Sequence, residues 1–313
     1  MYVVGIDENG FGPQMGMLTV TGSLFEVKKY NREDFWNGIR GKAVVDDSKR
    51  VLKFNRINEG ERTVLTYYNL FNERLPERFK ELLDSVSLFT LQELRQYCPS
   101  PAAEMCWKLE ILLPHWIRIK EDEIQRDAAK IKQGMAHQEM RLIEVKTAIF
   151  CPYKFNALII EKGIKKTHLD FILFEKLIEY FYKQYGNEQK YLFLCDKIGG
   201  TKRYLPWFNY LQNFKVLEKK EEINSIYSLE DIGRICFIKE GDKKHFPIAL
   251  SSIFGKYIRE VFMERINYFF TSRIRNLRPA SGYHDRITEE YKKRTANLRD
   301  ALNIPERCFL RIR

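Results

Sequence analysis

The sequence predicts an α/β fold: a mixed central sheet flanked by helices, with a helical insertion and a C-terminal helical extension. Three observations predict it. Residues 2 to 6 form a β-branched and aromatic run, read as a buried strand, which stops at Asp7 and Glu8. Residues 167 to 185 place Leu169, Ile172, Leu173, Leu177, Tyr180 and Phe181 at helical spacing, and Gly186 ends the helix. A second apolar strand, 190 to 195, then stops at Asp196, at the strand edge where open α/β sheets place their sites. Residues 247 to 271 make one long helix, whose stripe of Leu250, Phe254, Tyr257, Ile258, Val261 and Phe262 must be core.

After Glu8 the chain turns through Gly10, Phe11 and Gly12. Neighbours in a regular strand point to opposite faces, but a glycine-rich strand end can twist enough to bring Asp7 and Glu8 to one site. Carboxylates beside exposed backbone amides suit a hard divalent cation and a phosphate. Residues 16 to 27 read as a second strand antiparallel to the first, and Val44 and Val45 as a short third. Residues 55 to 83 are helix-like with an interruption at Pro76.

Cys98-Pro99-Ser100-Pro101 marks a break. The stretch from there to 146 mixes charges of both signs and is expected to be a helical insertion with a solvated face. Its Lys120, Arg126, Lys130 and Lys132 are the alternative, as contacts to a phosphate backbone. Residues 148 to 152 and 156 to 161 return to strand character. Thr167 is expected to cap the next helix, with Asp170 at the capping-box position. Beyond Asp196, Gly199 and Gly200 with Lys197, Lys202 and Arg203 suit an anionic ligand. Two or three strands are expected over 214 to 240 and a charged helix over 286 to 302. The division is 1–97 and 147–275 for the core, 98–146 for the insertion and 276–313 for a basic extension.

The 313 residues are 44% hydrophobic, ample for a sizeable core, and carry a formal charge of +11. From Lys256 onward there are 14 Lys and Arg against 7 Asp and Glu, so +7 of the +11 lies there. A basic surface of this kind commonly meets nucleic acid. The six cysteines form no Cys-x-x-Cys pair, which implies reduced structural thiols and a cytoplasmic protein, without a disulfide framework or zinc site. No signal peptide is expected, since a strand begins at Tyr2. No apolar run approaches the ~20 residues of a membrane helix. A monomer without membrane contact is expected.

Five stretches in order carry a resemblance to a known family. Gly5-Ile6-Asp7-Glu8-Asn9-Gly10-Phe11-Gly12-Pro13 resembles the opening motif of the type 2 ribonuclease H family (ribonuclease HII-like), and Asp47-Ser48-Lys49-Arg50 its Asp-Ser-Lys motif. Residues 191 to 196 are similar to its central strand, residues 249 to 260 to its helix of small residues, Lys, Arg and a final acid, and Ser281-Gly282-Tyr283 to its Gly-Tyr substrate motif. The resemblance implies a ribonuclease H-like fold. It implies catalysis and metal binding by Asp7, Glu8, Asp196 and Glu260 around two Mg²⁺ or Mn²⁺ ions. It also implies substrate contacts by Gly10, Phe11, Gly12, Lys49, Lys256 and Tyr283. Two departures mark a divergent member: Phe11 stands where the family has Arg, and Glu260 where it has Asp. Discrimination of a single ribonucleotide is therefore not implied.

The resemblance implies metal-assisted phosphodiester hydrolysis, and the carboxylates suit it by type. Two ions about 3.5–4 Å apart can neutralise the scissile phosphate, activate a water and stabilise the leaving oxygen, with only carboxylates supplied by the protein. The glycine turn would approach the 2′-hydroxyl that separates RNA from DNA, and Tyr283 would stack near the cleavage point. The expected function is an endonuclease on the RNA strand of RNA–DNA hybrids. The alternatives are a non-cleaving nucleic-acid-binding protein on this fold and a structure-specific DNA nuclease. The spacing of Lys256 and Glu260 also fits an ordinary surface pair, worth ~0.3–0.5 kcal/mol.

Overall fold

The structure, a computed structural model, describes residues 1–38, 43–46, 51–52, 57–72, 74–96 and 98–312. Lys49, with Asp47, Ser48 and Arg50, lies outside the described residues. Seven strands form one sheet: β1 (Tyr2–Asn9), β2 (Leu18–Val27), β3 (Met140–Phe150), β4 (Tyr191–Asp196), β5 (Val216–Glu221), β6 (Ser225–Leu229) and β7 (Gly233–Ile238), in the order β3-β2-β1-β4-β7-β6-β5. β1, β4 and β7 are parallel and central, and the remaining pairings are antiparallel. The mixed α/β architecture is the one expected.

The helices are α1 (Arg32–Gly38), α2 (Ile57–Phe71), α3 (Phe79–Val86), α4 (Leu91–Arg95), α5 (Ser100–Trp107), α6 (Glu121–His137), α7 (Pro152–Lys162), α8 (Lys166–Tyr185), α9 (Gly241–Lys244), α10 (Phe246–Thr271), α11 (Arg286–Ala301) and α12 (Glu306–Phe309). The sheet separates two apolar cores. One holds Val3, Phe25, Leu194 and the stripe of α10; the other holds Val4, Ile6, Phe193, Cys195 and the inner face of α8. Period-2 alternation in β1 and β4 therefore decides which face each later residue meets. Gly5 lets α10 lie against the sheet: a Cβ there would fall 2.1 Å from the Pro247 carbonyl carbon.

Several expectations are corrected. β3 begins at Met140, so residues 140–146 belong to the central sheet and not to the insertion. Their side chains alternate between outward charge and inward Leu142 and Val145, and they pair with β2. Residues 156–161 lie in α7, where Pro152 starts the helix and Gly163, at φ 64°, closes it. Val44 and Val45 form no strand. Thr167 does not cap α8: the cap position is Lys165, without a side-chain bond, and Asp170 is buried in the second turn. The 55–83 helix is two helices, α2 and α3, on either side of Pro76.

Candidate active site

The strand ends build the site. Ile6 and Cys195 are register partners in the parallel pair β1–β4, so Asp7 and Asp196 follow side by side. Both fall on the α10 face by alternation with Val3 and Leu194. Ser252 of α10 hydrogen-bonds Asp7. β4 is in turn parallel to β7, and the turn after β7 leads to Gly241 and Asp242 at the start of α9. Gly241 N–H donates to Asp196 Oδ1 at 2.7 Å. Burial, then repulsion from Asp196, Glu8 and Asp242, holds the Asp7 carboxyl well above the usual range, while Ser252 pulls the other way.

Glu8 does not share that face. β1 runs on through Asn9, so Glu8 alternates to the other face, yet its charge still bears on Asp7 and Asp196. Glu8 points to the α8 side. There its carboxylate accepts from the Phe11 backbone N–H at 2.9 Å and ties down the turn. Burial pushes its pKa up to about 7, Asp196 adds to this, and the Phe11 amide, Arg311 and Lys166 oppose it. Asp170 of α8 is wholly buried, with neither oxygen hydrogen-bonded, and burial and then Glu8 raise its pKa strongly.

The turn is held by residues from the far end of the chain. Gly10 sits at φ 101°, and a Cβ there would meet the Met17 carbonyl oxygen at 2.5 Å and the Arg259 side chain at 3.4 Å. Gly12 is exposed beside Tyr283, whose ring would stand 4.0 Å from an added Cβ. The Arg259 guanidinium lies 5.0 Å from the centre of the Tyr283 ring, a cation–π contact. Lys166 lies 4.5 Å from the centre of the Phe11 ring. Arg311, buried, donates to the Pro13 carbonyl at 2.6 Å. Burial, then the Arg259 charge, pulls Arg311 down to about 9. Cations thus crowd around the turn even though Phe11 itself brings none.

The structure therefore places Asp7 and Asp196 side by side, and gathers Gly10, Phe11, Gly12 and Tyr283 at the adjoining turn, which Glu8 holds through the Phe11 amide. It pairs Glu260 with the neighbouring Arg259, Nη1 to Oε1 at 2.5 Å. Lys256 is half-buried one turn earlier on α10. Asp242 was not singled out by the sequence reading: it follows β7 only after Lys239, Glu240 and Gly241. Arg311 and Lys166 carried no periodic or motif signal.

Among the described residues no three His, Cys, Asp or Glu side chains stand close enough to hold a metal ion as they are placed. The donor chemistry nonetheless fits a hard divalent cation. The groups are oxygen donors, and burial, then repulsion from Asp196 and Glu8, raises the pKa of Asp7. Among the described residues no helix is long and apolar enough to cross a membrane.

No family model matches the chain, and neither does any curated protein. Several solved structures are similar to it. One is described as the "PCNA:RNase HII complex from Archaeoglobus fulgidus", at 14% identity and TM-score 0.44, covering 100% of this chain and 95% of that one. A "Bst-RNase HIII in complex with Mn2+" has 10% identity and TM-score 0.45, covering 99% of this chain and 66% of that one. The "ribonuclease H2 from Pyrococcus horikoshii OT3" has 13% identity and TM-score 0.39, covering 99% and 92%. This chain thus spans less than two thirds of the HIII chain's length. These are ribonuclease HII, HIII and H2 structures by their descriptions, and the chain's own architecture is a seven-stranded mixed sheet with flanking helices.

Proposed function

We propose that the protein is a divalent-metal-dependent endoribonuclease acting on the RNA strand of RNA–DNA hybrids. One observation carries the reading. Asp7 and Asp196 follow the last register pair of adjacent parallel strands, with Asp242 beyond the next strand, and repulsion from Asp196 and Asp242 acts on Asp7 beside a glycine turn ringed by Arg259, Arg311 and Lys166. Buried carboxylates that repel each other suit a cation, and neighbouring cations suit the phosphate it would bind.

Asp7, Asp196 and Asp242 would hold Mg²⁺ or Mn²⁺, in place of the Asp7, Glu8, Asp196 and Glu260 expected from sequence. When bound, the metal neutralises the scissile phosphate and lowers the pKa of water. The chain's own residues do the rest. Glu8 and Arg311 hold the Gly10–Pro13 turn, so its backbone meets the sugar without a side chain in the way. Tyr283, exposed and backed by Arg259, offers a stacking face next to Gly12. Ser252 orients Asp7.

The test is cleavage of a labelled RNA–DNA hybrid with Mg²⁺ or Mn²⁺, beside Asp7→Asn. Cutting of the RNA strand that vanishes in the variant supports the reading. Hybrid binding without cutting by either metal would replace it with a binding protein on the same fold. Cutting of branched DNA without ribonucleotides would replace it with a structure-specific nuclease.

A further inference from the structure

A cavity of about 350 Å³ opens on the Tyr283 side of α10, outside the cluster of Asp7, Asp196 and Asp242. Its lining includes Trp116, Ile57, Met263, Glu260, Glu264 and Ser281. Trp116 comes from the segment before α6 and is firmly placed. The buried Glu61 carboxylate accepts from the backbone N–H groups of His115, Trp116 and Ile117 at 2.7, 2.7 and 2.8 Å. The Trp116 ring meets Tyr257 edge-on at 5.7 Å. Asn267 also lines the cavity, but its amide is spent on Ala280, donating to the carbonyl and accepting from the N–H, both at 2.9 Å.

Arg259 joins this cavity to the glycine turn. Its Nη2 donates to the Ser281 carbonyl at 3.0 Å, its side chain borders Gly10, and its guanidinium backs Tyr283. Glu260 already accepts from Arg259 through Oε1. Glu264, one turn on and exposed, is the acceptor facing out.

The lining selects its occupant. Two carboxylates repel a phosphate and accept only from N–H or O–H donors. An indole, a thioether and an isoleucine favour a flat ring. A volume near the lower end of small-molecule pockets suits a single heteroaromatic group and its sugar. Guanine presents two adjacent N–H donors on one edge, matching the two oxygens of a carboxylate. Uracil presents one donor between two carbonyls, which a carboxylate repels. Unpaired bases are read in this way, by stacking on an aromatic ring and hydrogen bonds to the pairing edge.

We propose that this cavity takes an unpaired guanine base, stacked on Trp116 with its pairing edge on Glu264, from a strand whose backbone lies along the Gly10–Pro13 turn. The backbone placement rests on the nucleic-acid reading above; the base recognition does not.

The test uses the full chain and free nucleosides, so that neither phosphate nor cleavage enters. Guanosine and uridine binding are measured by titration calorimetry on wild type, Glu264→Gln, Trp116→Ala and Trp116→Phe. Guanosine is expected to bind about tenfold more tightly than uridine, as a bidentate base contact would give. Glu264→Gln, an exposed change, should erase that preference. Trp116→Ala should weaken both nucleosides, and Trp116→Phe should restore most of the binding. Equal binding of the two nucleosides, binding of neither, or a guanosine preference unmoved by Glu264→Gln would overturn the proposal. Failure of the nuclease reading shows separately, as an uncut hybrid in the cleavage assay.

Discussion

Asp7 and Asp196 stand next to one another on two parallel strands, one residue beyond the register pair Ile6 and Cys195. That relationship puts a half-buried carboxylate beside the buried Asp7, with Asp242 near enough to add to the repulsion. Asp7→Asn should therefore raise the stability of the metal-free protein while abolishing cleavage. Thermal unfolding in EDTA, measured beside hybrid cleavage, checks both. A lower melting temperature for the variant would show that the acids are not in conflict.

On the proposed reading Asp242, and not Glu260, holds the metal beside Asp7 and Asp196. Asp242→Asn should lower cleavage at least 100-fold, as loss of a metal-holding carboxylate does. Glu260→Gln should stay within about tenfold of wild type, because its carboxylate serves Arg259. Single-turnover rates at saturating Mg²⁺ decide between them.

The buried Glu61 carboxylate satisfies three backbone N–H groups and the Tyr257 hydroxyl, the last at 3.0 Å. Glu61→Ala leaves those donors without their partner and should cost on the order of 3 kcal/mol or more. Urea unfolding measures the loss, and faster proteolysis within residues 108–120 should accompany it.

Gly10 occupies a left-handed conformation against the Met17 carbonyl. Gly10→Ala should cost about 1–3 kcal/mol and reduce cleavage sharply, since the turn must move. A variant that cuts as wild type does would show that the turn stands away from the substrate.

His245 gives a pH dependence with a definite sign. Burial, and then the Arg32 charge, lowers its pKa from 6.5 to about 4, and its Nδ1 lies 2.6 Å from the Tyr30 hydroxyl. The folded chain therefore binds fewer protons here than the unfolded chain between those values. This contribution is fully present above about 6.5 and is lost as pH falls toward 4. The stability difference between wild type and His245→Gln should shrink or reverse across that window, read from urea midpoints at pH 4.5, 5.5 and 7.

Much of the frame was legible because burial writes periodicity into sequence. β1, β4 and α10 are continuous apolar elements, and their ends or faces announced Asp7, Asp196 and the core stripe. Glu8 was misplaced because the glycine turn suggested a twist, whereas β1 pairs with β2 as far as Asn9. β3 was hidden because its first half alternates Arg141, Glu144 and Lys146 with apolar residues, and mixed charge reads equally well as a helix face. Asp242 sits in a helix of four residues, too short to show any period. Arg311 acts through tertiary contacts alone, and no local pattern encodes those.

The bond from Arg311 to the Pro13 carbonyl spans 298 residues of chain. A contact of such separation forms late, because loop closure must be met before it returns anything. A growing chain of 300 residues would already carry Asp7, Asp196 and Asp242, yet the turn beside them would lack its clamp. Competence to act on a strand would then arrive as a final step of folding, after the sheet is complete, and no fragment ending before α12 would reproduce it.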